Sequence, residues 1–206
     1  MKLRHPPGRA GRLWLRHRFE VATRGADLLD KKRRALIQEH RRLRVVARET
    51  AVEWKRAAEQ AETWVNRAAV MAGEEKVAML AALHPRAEVT VRWRSSMGVA
   101  FASEASVDLG PAPTGTSGGS AAADMAVPAA RAAVGAAVKD AVARTALRRI
   151  SVELTVTSRR QRALERRWLP TLAAAERRLS EALDEMEREE ATRSQWVRRR
   201  SAGKKV

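Results

Sequence analysis

The sequence predicts a mainly α-helical protein: a long antiparallel two-helix coiled coil of N- and C-terminal helices, with a short β-hairpin and a flexible loop at the turn. Apolar residues recur at alternating spacings of four and three towards both ends of the 206-residue chain, and the period changes to two between them. The first pattern is typical of a coiled coil and the second of a strand. Three segments are therefore predicted: the N-terminal helix in 1–84, the hairpin and loop in 85–126, and the C-terminal helix with a basic tail in 127–206.

The N-terminal repeat runs over 15–71 without a helix breaker. Fourteen of its seventeen positions are apolar, and no proline stands between Pro7 and Pro85. One helix of about 60 residues is therefore predicted, about 90 Å long at 1.5 Å per residue. Because alanine dominates the repeat, the predicted core is thin.

A second repeat runs over 150–196, with ten apolar positions of fourteen. Its spacing slips once, because Leu164, Trp168 and Leu172 are separated by four and four residues. Such a slip is a stutter, which locally relaxes the supercoil. Pro170 lies inside the slip and lacks an amide donor, so a bend is predicted between Trp168 and Leu172.

Between the two repeats, apolar and polar residues alternate on either side of a turn. Ser95–Gly98 supply the turn residues, which predicts a short β-hairpin. The stretch 110–124 is rich in Gly, Ser, Pro and Ala, so it is predicted to be a flexible loop. The alternating apolar positions are Val89, Val91, Trp93, Val99 and Phe101.

The net charge of +17 is concentrated towards both ends of the chain, and 33 of the 41 basic residues are arginine. This excess indicates either recognition of carboxylates or phosphates by guanidinium groups, or a coding bias that also enriches alanine. Because antiparallel helices bring the chain ends together, two basic termini are predicted to lie side by side. The acidic run Glu181–Glu190 is predicted to lie beside Arg24–Arg34, where exposed ion pairs contribute only about 0–1 kcal/mol each.

Five of the six tryptophans lie on the predicted helices. Some of them are expected to face outward as anchors for other chains, because tryptophan is enriched at the centres of interfaces. The alternative is that all five fill the seam between the helices. They are Trp14, Trp54, Trp64, Trp168 and Trp196.

No pattern of catalytic or cofactor-binding residues is found. The chain has no cysteine, the glycine-rich stretch has no GxxxxGK[ST] pattern, and the four histidines are scattered without an HExxH motif. Neither catalytic residues, nor a cofactor, nor a metal site is therefore predicted. The stretch Val99–Met125, which has no basic residue, is broken by acids, Gly and Pro, and no apolar signal core follows the N-terminal basic residues. A soluble cytoplasmic protein is therefore expected.

Three motifs follow one another along the chain. The stretch 22–36, ATRGADLLDKKRRAL, has a glycine followed by a Leu-Leu pair and a Lys-Arg, the hairpin turn has Met-Gly-Val, and the C-terminal helix has a longer pattern around its proline. Together they resemble the D subunit of V-type and A-type ATPases, the archaeal and bacterial forms included, over most of the chain except about 105–126. The matching residues are Gly25, Leu28, Leu29, Lys32, Arg33, Met97, Gly98, Val99, Arg160, Leu164, Pro170, Leu172, Leu183 and Glu189.

The resemblance implies a non-catalytic rotor shaft in the central stalk of a rotary ATPase. Its paired ends would enter a hexamer of catalytic A and B subunits, the F subunit of the stalk would bind near the hairpin, and the other end would dock on a socket subunit (C or d type) on the membrane ring. The protein would then be cytoplasmic and peripheral to the membrane, without inserting into it. The residues expected to face the hexamer are Arg9, Arg12, Arg16, Arg193, Arg198, Arg199 and Arg200.

Two other functions fit a basic coiled coil. A nucleic-acid-binding protein would contact phosphates, and its affinity would fall steeply with salt. A scaffold coiled coil would self-associate through its apolar seam, but such a protein has no need of a β-hairpin at its turn. The hairpin and the three motifs therefore favour the rotor shaft, for which no nucleic-acid partner is expected.

Overall fold

The computed structural model describes residues 3–111 and 120–202 of the chain. It confirms the predicted fold class, since two long helical segments flank one two-stranded antiparallel sheet. The elements in chain order are α1 (Gly8–Ala72), α2 (Glu74–Ala82), β1 (Glu88–Ser96), β2 (Val99–Asp108), α3 (Ala121–Ala163), a π-helical turn (Leu164–Trp168) and α4 (Leu169–Ala202).

Two boundaries differ from the prediction. Gly73, at a φ of 89°, ends α1, so the helical segment predicted within 1–84 is divided and a separate α2 follows. The predicted loop 110–124 ends early, because α3 begins at Ala121, where the Ser120 hydroxyl accepts a hydrogen bond from the Ala123 amide at 3.2 Å. Serine is a preferred N-cap residue because its side chain satisfies one of the free amides of the first turn. The part of this loop at 112–119 lies outside the described residues.

The chain divides into two compact units. The first, the terminal unit, contains residues 1–33 and 156–206 and thus both chain ends. Its core is formed by Leu15, Ala22 and Leu172, with half-buried Trp14 and Leu179 packed against them. The early residues of α1 lie beside late residues of α4, so the two helices of this unit run antiparallel, as predicted.

The helix register in the terminal unit corrects two predictions. Arg9 pairs with Glu187 at 2.7 Å, so the acidic run of α4 lies beside the start of α1 and not beside Arg24–Arg34. The apolar seam predicted to continue to Trp196 also ends early, because Met186 is 63% exposed and residues 184–200 are exposed throughout. Among the described residues, no helix lies beside these last turns, since α1 begins only at Gly8.

A π-helical turn at Leu164–Trp168 directly precedes the segment in which a bend is predicted. The bend between Trp168 and Leu172 itself stays a prediction. Pro170 lies two residues after the end of the π-helical turn, and a proline in a regular helix would leave the Arg166 carbonyl without its amide donor and crowd it. A π-helical turn bonds each amide one residue further back than an α-helix does, so it admits one extra residue into the helix. The extra residue accounts for the slip in spacing from Leu164 to Trp168 and Leu172.

The second unit, the hairpin unit, contains residues 34–155. Its larger core cluster joins α1, α3 and β2, and the aromatic ring at its centre is the fully buried Phe101. A smaller cluster packs Ala68 of α1 and Leu80 of α2 against the start of α3. The buried residues of the larger cluster are Leu36, Leu43, Phe101, Ala146 and Ile150.

The hairpin turns at Met97 and Gly98, which have φ values of 51° and 76°. Two consecutive positive φ values indicate a type I′ turn, which matches the twist of a two-residue hairpin. The strand register shifts between Arg92, opposite Glu104, and Trp93, opposite Ala102. This bulge re-aims the side chains of the strand at its midpoint.

One segment of the helices is apolar and long enough to cross a membrane by composition alone. The helical stretch Ala121–Arg200 contains an 18-residue window of mean hydropathy 1.2, of which 17% is buried. Ten of residues 121–138 are alanine, and Ala122, Ala123 and Ala126 pack in the smaller core cluster of the hairpin unit. The hydropathy of residues 121–138 therefore comes mainly from alanine, which has a small side chain.

Two glycines within helices are predicted to respond to substitution in opposite directions. A side chain at Gly135 would meet no atom within 4 Å, so Gly135→Ala should stabilise the protein by about 0.5–1 kcal/mol through the higher helix propensity of alanine. A side chain at Gly11 would overlap the Pro6 carbonyl oxygen, so Gly11→Ala should destabilise it. Urea unfolding measured by circular dichroism checks both variants, and a destabilised Gly135→Ala would contradict the helical environment described.

Candidate functional site

The last turns of α4 present an exposed basic surface. All residues from Ala191 to Arg200 are exposed, and Trp196 is 58% exposed with the Arg200 guanidinium 4.9 Å from its ring centroid. An arginine over an indole is a favourable cation–π contact. Of the residues expected to face a hexamer, Arg193, Arg198, Arg199 and Arg200 all lie here.

The three predicted arginines at the start of α1 lie in a different electrostatic environment. The hydrogen bond and charge of Glu187 raise the pKa of Arg9, and Arg16 lies 3.8 Å from Glu176. Arg12 is exposed. The structure therefore places two of these three arginines against acids of α4, which partly neutralise their positive charge.

The family-motif residues of the terminal unit divide into packing and surface positions. Leu172 and Leu183 are buried, and a Cβ on Gly25 would lie 3.9 Å from Leu164, an ordinary van der Waals distance. Leu28, by contrast, is 65% exposed. Leu29 and Lys32 are half-buried, and Arg160, Pro170 and Glu189 are exposed.

A polar layer crosses the terminal unit between the motif residues. Arg33 donates to the Asp30 carboxylate at 2.9 Å, and the Gln161 amide donates to Asp30 at 3.2 Å and to Glu165 at 2.8 Å. Gln161 is buried, so its amide group has exchanged water for two carboxylate partners. Such a polar pairing inside an apolar seam is able to fix the register of two helices.

The predicted hairpin residues divide between an exposed strand, β1, and a strand that contributes to the core, β2. Val89, Val91 and Trp93 are 48%, 37% and 57% exposed, so the apolar face of β1 is uncovered among the described residues. Met97 is exposed in the turn, whereas Val99 packs against the larger core cluster of the hairpin unit. Arg149 lies 5.6 Å from the Trp93 ring and donates to the Ala100 carbonyl at 3.1 Å. The hairpin thus packs against the helices through β2, and the apolar side chains of β1 are exposed.

The tryptophans confirm the prediction that some face outward. Trp54 and Trp196 are exposed, whereas Trp14, Trp64 and Trp168 are half-buried. The alternative, in which all five fill the seam, is therefore wrong. An arginine lies over four of these five rings, in the pairs Arg18 on Trp14, Arg144 on Trp54, Arg67 on Trp64 and Arg200 on Trp196.

Asp140 is a buried charge that the pattern of the sequence did not reveal. It is fully buried on α3 and contacts Arg144 one turn later, whose guanidinium lies 5.1 Å from the Trp54 ring. The second carboxylate oxygen of Asp140 is buried without a hydrogen-bond partner. Burying a carboxylate is costly unless it is paired, so Arg144 compensates a charge in the hairpin unit. The only indication of this pair in the sequence was that Arg144 follows Asp140 at the i,i+4 spacing of helical ion pairs. Many exposed pairs have the same spacing, so it does not indicate burial.

A cavity of about 320 Å³ in the hairpin unit offers no catalytic arrangement. Its walls are apolar apart from His84 and Arg131, and Arg131 is held by the Leu109 and Gly110 carbonyls at 3.2 and 2.6 Å. The His84 Nδ1 atom lies 2.9 Å from the Leu80 carbonyl. Neither residue has a nucleophile beside it. Within residues 3–111 and 120–202, His, Asp and Glu form no group of three that could hold a metal.

Comparison with known proteins identifies the family. The family model described as the D subunit of ATP synthase matches residues 13–199. The D subunit of the A-type ATP synthase of Archaeoglobus fulgidus is 31% identical over 202 residues, which cover 95% of this chain and 97% of the relative. The corresponding protein of Haloarcula marismortui is 30% identical over 93% of this chain and 86% of its own length. The D subunit of the V-type ATP synthase of Anaeromyxobacter dehalogenans is 33% identical over 93% of this chain and 94% of its own length. This chain therefore belongs to the family of ATP synthase D subunits, and it is a component of a rotary ATP synthase.

Proposed function

We propose that this chain is the non-catalytic central-stalk shaft, which couples ATP hydrolysis or synthesis in a hexamer of A and B subunits to rotation of an ion-translocating membrane ring. It acts on the cytoplasmic side, peripheral to the membrane. The observation that carries the proposal is the exposed, basic end of α4 in the unit that contains both chain termini. Family membership supplies the complex in which such an end has a partner.

The proposed mechanism needs a shaft whose sides differ. Three equivalent catalytic sites take different states only if the shaft makes different contacts with each, because a partner shifts an equilibrium only by its differential affinity for the states. The terminal unit has this asymmetry. Its π-helical turn is on one helix only, and α4 continues past Glu187, which lies beside the first turn of α1.

Two exposed apolar surfaces of the hairpin unit are the proposed contacts for the two remaining partners, the F subunit and the socket subunit. The Val89, Val91 and Trp93 face is the proposed contact for the F subunit of the stalk, because an uncovered apolar strand face favours burial against another chain. Val70 and Met71 at the end of α1 are 87% and 66% exposed. They are the proposed contact for the socket subunit of the ring.

Removing the basic cluster at the end of α4 is predicted to uncouple the complex. Arg198→Ala, Arg199→Ala and Arg200→Ala together should lower ion pumping per ATP hydrolysed at least severalfold, because the proposed contacts to the hexamer are lost. ATP hydrolysis and ion uptake are measured in parallel on complexes reconstituted in vesicles. The matched control carries the exposed Arg41→Ala, Arg44→Ala and Arg48→Ala and should pump normally. Equal pumping by both variants would rule out the role of the α4 end.

The function itself is tested by identifying the proteins that co-purify with the chain. A tagged chain purified from gently solubilised native membranes, with nuclease present, should retain A, B and F subunits identified by mass spectrometry. Recovery of nucleic acid or ribosomal proteins alone would overturn the shaft and support a phosphate-binding coiled coil.

A further inference from the structure

A long groove in the terminal unit has the size of a polypeptide site. It encloses about 1470 Å³ and follows α3, the π-helical turn and α4 from Arg160 to Ala182, with Leu29 of α1 in its wall. The 22 helical steps from Arg160 to Ala182 correspond to about 33 Å at 1.5 Å per residue. Small-molecule pockets occupy roughly 300–1,000 Å³, so the groove is better matched to a chain segment.

Four arginines line this groove, and their charges are uncompensated. Arg160, Arg166, Arg167 and Arg178 are exposed, and none of their guanidinium groups forms an ion pair, hydrogen bond or cation–π contact in the part of the chain that the structure describes. The two acids closest in sequence are engaged elsewhere. Glu165 accepts from Gln161 at 2.8 Å, and Glu176 lies 3.8 Å from Arg16. The guanidinium groups in the groove are therefore unpaired. Those of Arg9 and Arg42, elsewhere in the chain, each lie beside a carboxylate.

Apolar side chains accompany the four arginines in the wall of the groove. Leu164, Trp168, Ala175 and Leu179 all line it, and all are half-buried. A ligand that fills the groove must therefore present apolar groups as well as negative charge. An amphipathic segment with carboxylates along one side meets both demands.

Nucleic acid fits this surface less well. Single-stranded nucleic acid binds by stacking successive bases on aromatic side chains, whereas the groove offers one tryptophan and one histidine, and its other lining residues are mostly aliphatic or arginine. Guanidinium groups match carboxylates in bidentate geometry, and a protein segment also buries apolar area against the aliphatic wall.

We propose that this groove, here called the arginine groove, binds an acidic amphipathic segment of a neighbouring subunit of the complex. The inference rests on the proposed function, because it takes the neighbour from the ATP synthase. Its carboxylates pair with Arg160, Arg166, Arg167 and Arg178, and its apolar side chains pack on Trp168 and Leu179.

The first test compares two variants of the full chain that lose the same charge. One carries Arg160→Gln, Arg166→Gln, Arg167→Gln and Arg178→Gln, and the control carries the same change at four exposed arginines of α1 with no partner among the described residues. Retention of A and B subunits by each tagged chain is measured against salt concentration. The groove variant should retain them at least about tenfold more weakly, whereas the control should change less than about twofold. The control positions are Arg41, Arg44, Arg48 and Arg56.

The second test identifies the occupant. Replacing Ala182, an exposed residue of the groove wall, with the photoreactive residue p-benzoylphenylalanine cross-links whatever lies in the groove of the assembled complex. A cross-linked subunit peptide with several Asp or Glu along one side supports the proposal. A peptide without acids, a nucleic acid or a lipid overturns it.

The outcomes separate this inference from the proposed function. If the unaltered chain retains A and B subunits and both charge variants retain them equally, the arginine groove is not the site, but the shaft function stands. If the unaltered chain retains neither of them, the shaft function is wrong, and the groove proposal that rests on it is wrong as well.

Discussion

Phe101→Ala is expected to lower the free energy of unfolding by about 3–5 kcal/mol, because this substitution removes a large apolar side chain and leaves a cavity. Phe101 is fully buried in the hairpin unit among Leu36, Leu43 and Ile150, so both long helices of that unit lose contact area. Urea unfolding measured by circular dichroism gives the change. Because Phe101 is the fully buried residue that β2 contributes to the larger core cluster, amide hydrogen exchange should also accelerate throughout the hairpin.

The matched control for Phe101 is the aromatic residue on the neighbouring strand. Trp93 is 57% exposed, and its ring packs with Arg149 at the surface. Trp93→Ala should therefore cost less than about 1.5 kcal/mol. A larger cost for Trp93→Ala than for Phe101→Ala would show that β1, and not β2, fastens the hairpin.

Arg144→Ala is expected to cost about 3–5 kcal/mol, far more than an ordinary surface substitution. The reason is that it leaves the Asp140 carboxylate buried without a counter-charge, although Arg144 itself is 58% exposed. The double variant Asp140→Ala and Arg144→Ala removes both charges. It should recover most of the loss, since an alanine fits the helix and leaves no buried charge.

A matched arginine separates the buried charge from the aromatic contact. Arg67 lies 4.9 Å from the Trp64 ring, much as Arg144 lies 5.1 Å from Trp54. Arg67 has no carboxylate partner among the described residues, so Arg67→Ala should cost only about 0.5–1 kcal/mol. Equal losses for Arg67→Ala and Arg144→Ala in urea unfolding would mean that Asp140 does not depend on its partner.

Both predictions bear on the rigidity that the proposed shaft function requires. A shaft transmits torque only if its helices keep their register under load. Residues that fix the register therefore contribute more to its function than their contact area indicates. The pairing of Gln161 in α3 with Asp30 in α1 joins two helices of the terminal unit in this way. Asp140 and Arg144 both belong to α3, and Arg144 contacts α1 through the Trp54 ring. Polar contacts between helices matter here because the alanine-rich seam has little apolar area to specify alignment.

Much of this fold was predictable because it depends on local patterns. The 3.5-residue repeat indicated both long helices, the change to a period of two indicated the hairpin, and Met97 with Gly98 marked its turn. The Leu164, Trp168 and Leu172 spacing, together with Pro170, indicated the irregularity that the structure shows as a π-helical turn. The three motifs indicated the family, since they depend on residue identity alone.

What a neighbouring helix covers could not be predicted in this way. Leu15 and Trp196 occupy equivalent positions in the apolar repeat, but Leu15 is fully buried and Trp196 is 58% exposed. Whether such a residue is covered depends on where the neighbouring helix begins. The acidic run of α4 pairs with Arg9 because of the register between two helices, and a repeat of equivalent alanines does not specify that register.

The sequence by itself thus determined the helices, the hairpin and the family, because periodicity, turn residues and motif identity act along the chain. Only the tertiary structure decided which charges are paired. The same residue type, arginine, is neutralised by Glu187 at Arg9, compensates a buried acid at Arg144, and is left unpaired at Arg160 and Arg167. The physical reason is that the energy of a charge depends on its distance from other charges and from water, and these distances are set by packing between segments far apart in sequence.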